Sequence, residues 1–347
     1  MNILYIGQYT TGTTSKMRAD QLKEIIQTSS LGNREVNFNV IDTHIPFNNT
    51  ARIWRSLGFR YKCGPLIKTI NRYIKNQLSE SSIKLDLIWV DKAIFITPCT
   101  TKLLRSLTTK LIHFTPDMAF YENKSNHFIK NISQYDYLIT TKSIETKIYQ
   151  QFIPKEKLLL TTQGFDKDIH KPLHTFSQKE DCIAFIGLCE PSRETIVQQL
   201  IDNKIKVKIA GKGWNSFVKK NVENPYLQFQ GDGLFGNAYS QFISSSLFSI
   251  GFLSKKFEEL HTTRTFEIPA CGTALITECN DEIANFYKAD EVIFYKSVND
   301  MIKKIKYYQA HLNQLELLTK KGTQRVHQDG RDYESILREI LIQIQIA

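Results

Sequence analysis

Short, apolar runs alternate with helix-period segments along almost all of the 347-residue chain, and the alternation breaks and restarts once. Strands of a parallel sheet are covered by helices on both faces, so they read as brief apolar runs without polar alternation. Such runs place strands over residues 2–6, 36–41, 86–90, 111–114, 137–140 and 158–160, with helices over 16–28, 66–78 and 144–152. The stretch from Gln163 to Pro172 is polar, rich in turn residues and closed by proline, which places a linker there. Beyond it, strands are expected over 182–186, 206–209, 226–229, 247–250, 274–276 and 292–294. Helices are expected over 193–201, 238–243 and 281–287, from 298 onward, and over 333–342. A chain of this length fits two domains of about 150 residues each. The expected fold is therefore α/β, with two Rossmann-like halves facing one cleft.

Composition narrows the class of partner. A formal charge of +10 points to an anionic one: a nucleoside diphosphate, an acidic glycan, a lipid phosphate or a membrane face. Nucleic acid is not expected, because the lysines are dispersed and the Arg/aromatic pattern of an RNA-binding sheet is missing. No apolar run is long enough to span a bilayer, and Met1 leads straight into an apolar run without a basic leader, so a cytoplasmic protein is expected, with contact at the inner membrane face left open. The six cysteines form no C-x-x-C pair and read as buried free thiols.

The densest chemistry lies between Glu258 and Gly272. Glu259 and Glu267 flank His261, Arg264 and Thr265, in a loop that leads through a short helix into the next apolar run. Loops at strand ends and helix N-termini favour anions, an Arg can hold phosphate bidentately, and a Glu can accept two sugar hydroxyls. Two further turns belong with it. Gly187 leads to Arg193 at a helix start, and Gly211-Lys212-Gly213-Trp214 combines glycines that admit close backbone approach with a point charge and an aromatic. Together these residues predict a site for a diphosphate and a base.

In the first half, Gly7 and Gly12 have the spacing of a phosphate loop, but Thr13 stands where that loop requires lysine. Gly12 and Arg18 are instead expected to line the cleft. Lys92, His113 and Asp117 close adjacent strands and are candidates to hold or deprotonate an acceptor, with a helix cap, an ion pair or a core-satisfied side chain as the structural alternative. No Asp or His cluster has metal-ligand spacing, so no metal is expected. A dinucleotide-binding dehydrogenase is disfavoured because Gly211-Lys212-Gly213 lacks the third glycine of its fingerprint.

The run Arg264-Thr265-Phe266-Glu267-Ile268-Pro269-Ala270-Cys271-Gly272, together with Phe185-Ile186-Gly187, Gly211-Lys212-Gly213-Trp214, Phe114-Thr115-Pro116-Asp117 and Gln163-Gly164-Phe165-Asp166, resembles the CgeB-like (spore-maturation-protein-like) glycosyltransferases of the GT-B class. The resemblance spans roughly residues 85–310 and is related to the retaining group 1 transferases. It implies an N-terminal acceptor-binding domain over residues 1–165, a nucleotide-sugar-binding domain over 166–330, and a C-terminal helix over 331–347 able to cross back. It also implies transfer of a sugar from a nucleotide-diphosphate donor to a glycan, lipid-linked or protein acceptor, in surface glycan synthesis, without a cofactor or metal. The seven-residue gap between Glu259 and Glu267 is similar to a pair in which the first Glu approaches the donor sugar and the second holds the ribose. Around Glu259 the usual glycine-rich run is replaced by Leu260-His261, which leaves Glu258 and His261 as alternatives for the first role. An epimerase using the same nucleotide site, or a catalytically silent glycan-binding protein, stays open beside the transferase. Oligomeric state is not addressed by these residues.

Overall fold

The computed structural model describes residues 1–28, 36–79 and 84–346. The chain forms two compact units, one of Met1–Thr162 with Tyr333–Ala347 and one of Gln163–Asp332.

The first unit is built on β1 (Asn2–Gly7), β2 (Asn37–Asp42), β3 (Leu85–Asp91), β4 (Thr108–Thr115), β5 (Tyr137–Thr140) and β6 (Leu158–Leu160). All pair in parallel in the order β2-β1-β3-β4-β5-β6. Leu4, Ile6, Ile88, Val90, Leu111 and Leu138 point into one core. The helix Pro65–Ser79 supplies Leu66, Ile67, Ile70 and Ile74 to the same core, at the spacing that keeps one helix face inward. The helix Tyr333–Gln343 belongs to this unit and packs on the helix Thr14–Thr28.

The second unit repeats the plan with β7 (Glu180–Ile186), β8 (Val207–Ala210), β9 (Leu227–Phe229), β10 (Ser246–Gly251), β11 (Ala274–Glu278) and β12 (Ile293–Tyr295). Their order is β12-β11-β10-β7-β8-β9, again fully parallel. The strand order reverses between β7 and β10, and in the first sheet between β1 and β3. At such a switch point the connections leave in opposite directions and open a crevice at the carboxyl ends of the strands.

The expected α/β architecture is present, and each expected strand is found within about three residues of its expected ends. Two helical readings change. Residues 144–152 do not form one helix; a 3-10 turn, Ser143–Glu145, precedes a single helical turn, Thr146–Tyr149. The buried Glu145 carboxylate accepts the backbone N–H groups of Ala119 and Phe120, which ties the start of this segment to the preceding loop. The helices Arg52–Tyr61 and Pro98–Leu107 are additional to those expected. The cysteines are unpaired, yet Cys63, Cys99 and Cys279 are exposed and only Cys182 and Cys271 are fully buried, so burial of all six is corrected. These three lie on loops or helix ends outside the apolar runs that make the cores.

Candidate functional site

The switch point of the second sheet gathers the charged residues of two segments. After β7 the chain turns at Gly187 and enters the helix Pro191–Asp202, which carries Arg193 in its first turn. After β10 it runs through Ser254 and Glu259 to the helix Arg264–Ala270. Arg193 Nη1 donates to the Leu188 carbonyl at 3.0 Å and Nη2 lies 3.3 Å from Glu190 Oε1. Its Nε–H is buried with no hydrogen-bond partner. Burial pushes the guanidinium's pKa down, and the charges of Glu190 and Glu259 oppose that shift while Arg264 adds to it. Two cations and two carboxylates thus share one field at the end of the sheet.

Arg264 sits half-exposed at the start of its helix, with Nη1 on Thr263 Oγ1 at 3.0 Å and Nε 3.9 Å from Glu267 Oε2. Glu267, one turn on, is buried. Its Oε2 accepts the Tyr239 hydroxyl at 2.7 Å, and its Oε1 lies 3.7 Å from His170 Nε2. His170 Nδ1 accepts the Asp166 N–H at 3.0 Å, which puts the ring proton on Nε2, facing the carboxylate. Burial, reinforced by the Glu267 charge, drives the Tyr239 hydroxyl well above its ordinary pKa, so it remains a donor. Glu267 is therefore a buried carboxylate oriented by the Tyr239 hydroxyl, and a carboxylate retains acceptor capacity beyond one donor. Tyr239 and His170 were not among the residues expected here. Glu259 turns back on its own loop, with Oε2 accepting the Ser254 N–H at 3.0 Å.

The glycine turns interlock beside this cluster. Gly187 donates its N–H to Ala210, and Cys189 donates to the Lys212 carbonyl, both at 2.9 Å. Gly211 adopts φ +133°, and a Cβ there would stand 2.0 Å from the Gly187 carbonyl oxygen. Gly211→Ala therefore carries both backbone strain and a clash with main chain, and is expected to lower the melting temperature by an amount equivalent to about 2 kcal/mol or more. A thermal melt that matches the parent protein would contradict this account of the turn. Lys212 is exposed on the same turn.

Three residues expected to touch a ligand in this unit do something else. Trp214 is fully buried and packs edge-on to Phe185 and Phe217, with its indole N–H given to the Gly187 carbonyl at 2.9 Å. Its role is to lock the two turns together. His261 is buried between Phe266 and Phe286; its Nε2 accepts the Gln163 N–H at 3.1 Å and its Nδ1 contacts Glu282. Both ring nitrogens are engaged. Thr265 is buried, with Oγ1 accepting the Thr262 N–H at 3.2 Å, a local turn contact.

The first sheet's switch point opens a cavity of about 270 Å³ lined by Gln8, His44, Asp91, Lys92, Asp117 and Asn123 among others. Lys92, held at φ +59°, pairs with Asp117 at 2.6 Å. Burial works to raise the Asp117 carboxyl, but the Lys92 ammonium, together with the charges of Lys142 and Arg18, outweighs it and holds the group below its usual range. The ion-pair alternative for these two is what the structure contains. Gly12 turns the chain at φ +82° ahead of the helix Thr14–Thr28.

Two expectations in this unit are corrected. Arg18 does not line a cleft: its side chain is 2% exposed and gives Nε and Nη2 to Asp91 Oδ2 at 3.1 and 2.7 Å, stacked over Phe114. The helical period that starts near Lys16 turns Arg18 inward, where the Asp91 carboxylate, itself held by the Tyr5 hydroxyl, compensates it. His113 is buried against Phe128 and Tyr135, and its Nε2 accepts the Ala93 N–H at 3.2 Å. Burial lowers its pKa to about 3, so it neither gains nor shuttles protons near neutrality. Because the folded value lies below the unfolded one of 6.5, the unfolded chain takes up the proton first, and stability drains away as pH falls from about 6.5 towards 3. His113→Gln keeps an acceptor for Ala93 and should flatten the stability-versus-pH curve across that window, by up to about 1.4 kcal/mol per pH unit relative to the parent. Parallel curves from denaturant titrations would contradict the assignment.

Among the described residues no group of three or more His, Cys, Asp or Glu gathers in a way that could hold a metal ion. No described helix is long and apolar enough to cross a membrane.

Residues 193–342 match the model of a family described as glycosyl transferase-like. No curated protein matches the chain in sequence. Solved structures do match in fold. Sucrose-phosphate synthase from Thermosynechococcus elongatus is similar with TM-score 0.70 at 13% identity, over 100% of this chain and 99% of that one. Anabaena HepE, in complex with UDP and glucose, gives TM-score 0.69 at 12% identity over 100% of both chains. A glycosyltransferase from Rickettsia africae gives 0.66 at 12%, over 99% of this chain and 98% of that one. These similarities identify the architecture of two parallel six-stranded units as that of GT-B glycosyltransferases.

Proposed function

We propose that this protein is a glycosyltransferase that takes a sugar from a nucleoside-diphosphate donor held by the unit Gln163–Asp332 and gives it to a hydroxyl of a glycan, lipid-linked or protein acceptor. One observation carries the reading: Arg193 presents a buried Nε–H with no acceptor, at the switch point of a parallel sheet, in the field of Arg264. A buried unpaired donor on a cation is costly, and an anionic ligand removes the cost. The family match over residues 193–342 covers the same segments.

In this reading Arg193 and Arg264 hold the diphosphate, with Lys212 at the exposed edge, and Glu267 accepts the ribose hydroxyls. When the bond from the anomeric carbon to the diphosphate oxygen breaks, negative charge grows on the leaving group, and the two guanidiniums stabilise it in place. The resemblance assigns Glu259 to the donor sugar, while in the structure its Oε2 holds the Ser254 N–H. Lys92 and Asp117, which line the first unit's cavity, are assigned to the acceptor, whose hydroxyl gives its proton to the departing diphosphate oxygen as its own oxygen bonds to the anomeric carbon. We further propose retention of anomeric configuration and no bound metal, which is what the resemblance to the group 1 transferases implies; the anomer of the product, followed by NMR, tests the first, and activity in chelator tests the second.

Binding is the direct test. A ligand that binds only the native state at about 100 times its Kd stabilises it by about 2.7 kcal/mol. UDP and other nucleoside diphosphates are to be screened by thermal shift, with the expected rise absent in Arg193→Ala. A panel in which no nucleotide shifts the melt overturns the donor site. Incubation with donor alone separates transfer and hydrolysis from epimerisation.

A further inference from the structure

The helix Arg52–Tyr61 has its apolar face turned outward. Ile53, Trp54, Leu57 and Tyr61 fall within about 100° of helix arc, and they are 65%, 46%, 40% and 60% exposed. The helix is seated from the other side. Gly58 is buried so tightly that a Cβ there would stand 2.5 Å from Leu66 Cβ, Phe59 leans on Phe95, and the Arg55 guanidinium lies over Phe47. Lys62 ends the helix with its ammonium on the Phe59 carbonyl. An exposed, contiguous stripe of this size on a rigidly docked helix marks an interaction surface.

Charge says what covers it. Residues 43–79 contain four arginines (Arg52, Arg55, Arg60, Arg72) and three lysines (Lys62, Lys68, Lys75) with no aspartate or glutamate. Arg52 and Arg60 are exposed beside the stripe, and the groove next to it, about 750 Å³, adds Lys124 and His127 against the single acid Glu122. Tryptophan and tyrosine among aliphatic side chains, bordered by arginine, is the composition of a helix that lies in a bilayer interface and is attracted by anionic headgroups.

We propose that the helix Arg52–Tyr61 docks the first unit on an anionic lipid surface, with Ile53, Trp54, Leu57 and Tyr61 inserted at headgroup depth and Arg52 and Arg60 against lipid phosphates. The assignment stands apart from the transferase reading, since the helix shares no residue with the donor site.

The test uses the full chain with phosphatidylcholine vesicles, with and without phosphatidylglycerol. Of the three tryptophans, Trp89 and Trp214 are fully buried, so a blue shift of fluorescence on mixing reports Trp54. Co-sedimentation with the anionic vesicles, the blue shift, and weakening in high salt are expected. Trp54→Ser with Leu57→Ser should cut partitioning on the order of tenfold or more without changing the melting temperature, because both side chains face solvent; Arg52→Ser with Arg60→Ser should cut it on anionic vesicles alone. Absence of binding to anionic vesicles, binding untouched by the Trp54/Leu57 pair, or loss of self-association instead of vesicle binding in that variant overturns the proposal, the last in favour of a second copy of the chain.

Discussion

Arg264→Ala is expected to lower the rate of sugar transfer on the order of 10²-fold or more, while leaving the stability within about 0.5 kcal/mol of the parent. The first half of that expectation follows from where charge appears. A departing diphosphate gains negative charge only as the glycosidic bond breaks, so a guanidinium fixed beside it stabilises the transition state more than the ground state, and its removal falls on kcat. The second half follows from packing: the Arg264 side chain is half-exposed, and its contacts include one threonine hydroxyl, a 3.9 Å approach to Glu267 and the face of Tyr239. Arg264→Lys discriminates further. Lysine restores a point charge but not the planar fork, so it should recover only part of the lost rate. Wild-type turnover in Arg264→Ala, measured by donor consumption in the presence of acceptor, would sink the site. A loss of activity accompanied by a fall in stability would instead assign Arg264 to the fold.

Glu267 cannot be treated in the same way. It is buried and receives the Tyr239 hydroxyl, with His170 and Arg264 nearby, so Glu267→Ala would strand three polar groups and confound catalysis with stability. Glu267→Gln keeps the volume and is the cleaner comparison.

What the sequence made legible divides along a physical line. The strands were readable because both sheets are parallel and buried on both faces, so each strand announces itself as an apolar run, as in Ile183–Ile186 or Leu247–Ile250, and its position owes nothing to distant partners. The helix Pro65–Ser79 was readable for the related reason that its period points inward. Arg52–Tyr61 carries an apolar stripe of the same period, in Ile53, Trp54, Leu57 and Tyr61, but the fold turns it outward, and which way a stripe faces is set by three-dimensional neighbours and not by spacing. In the candidate site, the sequence puts Arg264 and Glu267 one helical turn apart, whereas Tyr239 and His170 join Glu267 only through the fold, the tyrosine from 28 residues away. Trp214, His261, Arg18 and His113 show the converse. A tryptophan, two histidines and an arginine near turns are residue types that ligands need, and cores use them equally well. What separates the two uses is whether the indole N–H, the ring nitrogens or the guanidinium are already engaged by buried protein groups, and that is a property of three-dimensional neighbours.

Arg18 carries the second large effect, in stability. Its guanidinium and the Asp91 carboxylate are both almost wholly buried, and Tyr5 donates to the same Asp91 oxygen at 2.8 Å. Burying two ions costs several kcal/mol each, and their mutual attraction repays this only while both are present. Asp91→Ala leaves a guanidinium without its counter-charge under Phe114, and is expected to destabilise the chain by about 3–5 kcal/mol in urea titrations. Arg18→Met combined with Asp91→Leu removes both charges and fills part of the space, so the double variant should regain most of that loss, a non-additivity measured by the double-mutant cycle. Tyr5 would then lack its carboxylate acceptor but keep the Ser15 carbonyl at 2.9 Å, which limits the residual penalty to about one hydrogen bond. Additive losses in the double variant would mean that Arg18 is stabilised mainly by its apolar stem and stacking, and that Asp91, with Oδ1 buried and without a hydrogen-bond partner in the wall of the first unit's cavity, acts independently of it.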